Sequence, residues 1–155
     1  MVAVNHPKSR GVLQLRSAQA QDTPLIRHAL LSDDDDLEQL VEGLALARRI
    51  VQQAPLAAHV LHERAPFPDL QTHAQLREFA RAASICMYHP VGTCRMGGDS
   101  ASVVDPQLRV RGVEGLWVAD ASVIPTLPAG NINATVVMVG EKAADLVSAA
   151  LQRQT

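Results

Sequence analysis

No Gly-x-Gly-x-x-Gly occurs in these 155 residues: the nine glycines are scattered, and Gly97-Gly98 is no substitute. A chain without that loop lacks the usual cradle for a dinucleotide diphosphate. Aromatic residues make up only 3%, which argues against base-stacking platforms and leaves a core of Leu, Val, Ile and Ala. Fourteen Lys and Arg face sixteen Asp and Glu, a net charge of −2 with no basic footprint for nucleic acid. No apolar run reaches the length of about 18 residues that a membrane span needs. The two cysteines, Cys86 and Cys94, fit no zinc spacing, and Met1 to Lys8 lack the charged-then-apolar order of a secretory signal. A cytoplasmic protein with free thiols is expected.

What is present reads as one ordinary set of α and β elements, 47% hydrophobic and 19% charged. Gly11 to Ala18 alternates Leu13 and Leu15 against Gln14 and Arg16, the period of a strand. Residues 19–31 are less regular, and Pro24 breaks any helix there. A helix follows, with Ser32 or Asp33 as cap, Asp34 to Asp36 at its positive end, and an apolar stripe through Leu37, Leu40, Val41, Leu44 and Val51. Pro55 ends or kinks it. The four aspartates suit a helix start better than a metal site, because adjacent helical residues do not converge on one point.

Leu56 to Glu63 forms a short helix in this reading. His59 and His62 could share a face of it, but two histidines alone make no metal site. Ala65 to Asp69 is a loop. Thr72 with Gln75 is a capping box opening a helix to Ala83, with Leu76, Phe79, Ala80 and Ala83 on its apolar face. Val103-Val104 and Leu108 to Arg111 are short strands. Leu116 to Ala119 is a continuous apolar run, as in a strand covered on both faces. The last helix runs from about Asn133 to Leu151; its first half is apolar all round and expected to be buried.

The candidate chemistry lies in two turn-rich stretches, Tyr88 to Gly97 and Pro128 to Thr135. His89 precedes Pro90, which biases it away from helical geometry and onto a loop. A free imidazole has a pKa near 6.5, so such a residue can take a proton at neutral pH. Asn131 and Asn133 precede the last helix. One can cap it while the other points into a cavity, and the helix end offers N–H groups and positive charge to an electron-rich group. Asp120 is either a turn residue or part of a crevice at the carboxyl end of a strand. Cys94 is read as a structural thiol rather than a nucleophile.

These motifs carry a resemblance. The chain resembles the carboxyl-terminal portion of the glucose–methanol–choline (GMC) oxidoreductases, the flavin-dependent alcohol dehydrogenases and oxidases, and is most similar to their choline-dehydrogenase-like branch. The matching stretches are Pro7 to Gly11, His89 to Gly97, Val104 to Pro106 with Leu108 to Val110, Leu116 to Pro125, and Gly130 to Ala134 running into Gly140 to Asp145. The resemblance implies an α+β fold: a partial substrate-binding domain over 1–88 and the last strands and closing helix of the FAD-binding domain over 89–155. It implies His89 as the base that takes an alcohol's hydroxyl proton and Asn131 as the residue that orients the oxygen. Asp120, Ala121, Asn133 and Ala134 match positions beside the FAD, and no metal is implied. Since the glycine-rich loop is missing, the chain is expected to be a carboxyl-terminal fragment that binds FAD poorly alone. A non-catalytic remnant, or a split subunit needing an FAD-binding partner polypeptide, is the competing expectation.

Overall fold

A run of four acids begins the longest element of the first half. Asp33 has extended backbone and its Oδ1 accepts the N–H of Asp35 at 2.9 Å, which caps helix α1, Asp34–Val51. Arg48 and Arg49 fall in the last turn, where the dipole favours them. Thr72 and Gln75 close the expected capping box on helix α2, His73–Ala83. The computed structural model describes residues 1–65 and 68–153, so Pro66 and Phe67 of the expected loop lie outside the described residues. The chain divides into two compact units, Met1–Ile85 and Cys86–Thr155.

In the first unit α1 and α2 pack together through Leu31, Leu37 and Ala80, with Leu40 alongside. Arg77 and Arg81 of α2 reach back to Asp34 at 3.0 and 2.8 Å, and Arg77 also pairs with Glu38. Two three-residue strands, β1 (Val12–Gln14) and β2 (Leu25–Arg27), pair antiparallel with Leu13 opposite Ile26. The sequence reading extended the first strand to Ala18 and saw no second. Leu25-Ile26-Arg27 shows no alternation to read, and β1 is exposed on both faces, so its period of two does not mark a buried side. The expected helix from Leu56 shrinks to one 3-10 turn, Leu56–His59. His62 falls beyond it, so His59 and His62 share no helical face.

Asp36 departs from its neighbours. It is 1% exposed, and its two oxygens accept the backbone N–H groups of Lys8 and Ser9, each at 2.8 Å. Burial pushes its carboxyl up. The hydrogen bonds from the Ser9 hydroxyl and the Lys8 and Ser9 backbone, with the charge of Arg10, outweigh this and hold it below the ordinary aspartate range. A carboxyl favoured in its charged form by folding adds stability at neutral pH and withdraws it as pH falls below that range. Asp36→Asn is therefore expected to lose stability at pH 7, with a gap from wild type that narrows below about pH 4. Urea denaturation at pH 7 and pH 3 measures it, and an equal gap at both would contradict the role given to the charge.

The second unit is built on Val104, Leu108, Val123, Ile124, Val139 and Ala143. Its final helix, α3, spans Asn133–Gln152. The expected strands at 103–111 and 116–119 are present only as isolated bridges: Met96 with Val104, Val104 with Val110, and Arg109 with Trp117. The apolar run is not covered on both faces: Trp117 and Val118 pack on the core, but Leu116 is 48% exposed and Ala119 is exposed too. The first half of α3 is likewise buried on one side only. Val139 packs into the core, while Val137 and Met138 are more than half exposed. Among the described residues no helix is long and apolar enough to cross a membrane.

Candidate active site

The His89 segment is fixed by backbone geometry before any side chain is considered. Tyr88 has φ +61° and Gly92 φ +88°, a conformation that costs an L side chain roughly 1–2 kcal/mol and glycine little. The N–H of Arg95 closes a turn onto the Gly92 carbonyl at 3.2 Å. The segment then runs between two others. Cys94 and Met96 donate to the carbonyls of Ser122 and Val123 at 3.0 and 2.8 Å, while Gly97 donates to Val104 at 3.1 Å. Val103 donates to Arg95 on that same side, at 3.1 Å. Val91 and Met96 pack on the core, so the loop is held from both edges and from below.

Asn131 arrives from the other direction. Gly130 donates to the Pro128 carbonyl at 2.8 Å, and Ile132, 7% exposed, anchors the chain as it enters α3. The result is a contact between residues 42 apart: His89 Nε2 lies 3.3 Å from Asn131 Oδ1. With a proton on Nε2, the imidazole N–H donates to the amide oxygen. His89 is partly buried and Asn131 exposed, so the pair opens at the surface of its unit.

The other sequence candidates fall into two groups. Asp120 caps the 3-10 turn Ala121–Val123, its Oδ1 accepting the Ser122 N–H at 2.7 Å. Through the Ser122 and Val123 carbonyls this turn is tied to the His89 segment. Asn133 and Ala134 are the first two residues of α3. The residue at the cap position is Ile132, in helical conformation, and no side chain caps the helix. Neither Asn131 nor Asn133 therefore serves as the expected cap, because the helical turn begins before Asn133. Tyr88, the first residue of the candidate stretch, is 86% exposed directly before His89. Its left-handed backbone leaves no mark in the residue type. Arg95, in the same stretch, holds Asp99 in a two-pronged pair at 2.9 and 2.7 Å, a partner the sequence reading did not assign. That guanidinium keeps the Asp99 carboxyl well below the usual carboxylate range.

The family model described as GMC oxidoreductase matches residues 7–140. This chain belongs to that family. It is 43% identical to an alcohol dehydrogenase (acceptor) of Pseudomonas putida, over 91% of this chain and 26% of the relative. It is 41% identical to a choline oxidase of Arthrobacter globiformis, over 98% of this chain and 29% of the relative. A solved FAD-dependent oxidoreductase from Chaetomium thermophilum superposes with a TM-score of 0.86 at 28% identity, over 95% of this chain and 26% of that one. The chain thus spans between a quarter and a third of the length of these proteins.

Proposed function

We propose that this chain supplies the proton-handling side of an FAD-dependent alcohol oxidoreductase, which turns an alcohol into an aldehyde or ketone. The contact of His89 with Asn131 carries this reading, seen in a chain of the GMC family. An alcohol hydroxyl set against the pair meets a base and an amide within one hydrogen-bond length. His89 Nε2 takes the hydroxyl proton, and Asn131 orients the oxygen while negative charge grows on it. Once protonated, the imidazole donates to Asn131 Oδ1, which steadies the cation until the proton leaves.

FAD, when bound, supplies the hydride acceptor. Asp120, Ala121, Asn133 and Ala134 are the residues here that would line its site. The uncapped start of α3 fits this role, since its first N–H groups and positive dipole end face no capping side chain. The diphosphate would be secured outside these 155 residues, because they contain no glycine-rich loop. In this reading residues 1–88 belong to the substrate side and 89–155 to the FAD side.

Alone, the chain is expected to be colourless. Joined to a polypeptide carrying the glycine-rich loop, it is expected to turn yellow and to reduce an artificial acceptor when primary alcohols, choline among them, are added. An FAD-loaded complex that oxidises none of them would refute the proposal.

A further inference from the structure

Pro7 to Gly11 has no part in that chemistry, yet its polar side chains and several of its backbone groups are engaged. The backbone N–H groups of Lys8 and Ser9 go to separate oxygens of Asp36. The Ser9 hydroxyl oxygen accepts the N–H of Asp33, the cap residue of α1, at 3.1 Å. The Lys8 ammonium pairs with Asp35. The Arg10 guanidinium folds back on the carbonyls of Pro7 and Ser9 at 2.6 and 3.0 Å. On the other flank Gly11 is pressed against the end of β2. A Cβ there would collide with the carbonyl oxygens of Arg27 and His28. Five residues thus touch the start of a helix on one side and the base of a hairpin on the other.

The hairpin's other tie is the chain itself, which runs from Arg27 to Leu31, buried with Leu37 and Ala80. Among the described residues the most closely packed pairs of elements are α1 with α2, β1 with β2, and α1 with the short turn after it. Every strand residue except Leu25 is exposed. A two-stranded ribbon without a packed face is marginal in water.

We propose that Pro7–Gly11 is a latch that couples the β1–β2 ribbon to the α1–α2 pair, with Asp36 as its receptor. The ribbon and the helices are then separate cooperative units, joined through one buried carboxylate rather than an apolar interface. Hydrogen exchange on the full chain separates the possibilities. In Asp36→Asn, the amides of β1 and β2 are expected to exchange at least about tenfold faster, while those of Leu40 to Ala47 and Leu76 to Ala80 stay within about twofold of wild type. Ser9→Ala, which removes only the hydroxyl, is expected to give the same pattern more weakly, and it serves if Asp36→Asn does not fold. Strand amides unchanged while Lys8 and Ser9 open would overturn the latch. So would helices and strands losing protection by one common factor, or strands that show no protection in the wild type.

Discussion

His89→Gln, placed in an FAD-loaded complex of the kind proposed above, is expected to lower turnover by roughly 10²–10⁴-fold while the FAD content stays the same. The magnitude is that of a positioned general base, roughly 3–5 kcal/mol of barrier at 1.36 kcal/mol per tenfold. Glutamine keeps a polar side chain beside Asn131 but cannot take a proton at neutral pH. The loop itself is fixed by the Cys94, Met96 and Gly97 backbone bonds, none of which involves the imidazole. Steady-state rates with a saturating alcohol, set against flavin absorbance, measure the effect. Turnover within a few-fold of wild type would remove His89 from the mechanism and leave Asn131 without a partner.

Leu108→Ala is expected to destabilise the second unit by about 3–5 kcal/mol, the range for a leucine truncated in a closed core. Leu108 is 3% exposed among Val104, Val123, Ile124, Val139 and Ala143. It also sits at φ +64°, which costs a leucine roughly 1–2 kcal/mol. Asp105 holds that turn. Its carboxylate accepts the N–H groups of Gln107 and Arg109 at 2.9 and 3.0 Å, and its carbonyl accepts that of Leu108 at 2.9 Å. Glycine in place of alanine usually weakens an ordered position by about 0.5–1 kcal/mol. Here the order is expected to reverse, because Leu108→Gly loses the same packing but sheds the backbone strain. Urea denaturation of both variants tests this, and an alanine variant more stable than the glycine one would show that the strained turn contributes nothing. A loss of this size takes much of the margin of a small unit, commonly 5–15 kcal/mol for a whole domain. His89 and Asn131 would lose their support together.

Helices α1 and α2 were legible in the sequence because two signals agreed on each. The apolar stripe of α1 matched its acid start, and Thr72 with Gln75 matched the face through Leu76 and Ala80. The bridges around Val104, Val110 and Trp117 were overread as strands. Short apolar runs look alike whether a ladder or a single bond pair holds them. Asp36 was hidden for another reason. In a run of four identical residues nothing marks which one turns inward, and its partners Lys8 and Ser9 lie 27 and more positions away. The two halves of the candidate site were each legible as turn chemistry beside a histidine or an asparagine. That they meet depends on folding across Val123, Ile124 and Ile132, which local pattern does not report.

The position of Trp117 has a practical consequence. It is the single tryptophan of the chain, and Tyr88 the single tyrosine, and both fall after Ile85. Trp117 rests against the core that supports the histidine loop. Its emission therefore reports on the core of the half that carries His89 and Asn131, whereas far-ultraviolet dichroism sums all three helices. Denaturation followed in both channels on one sample would resolve the melting of each half without a label or a truncation.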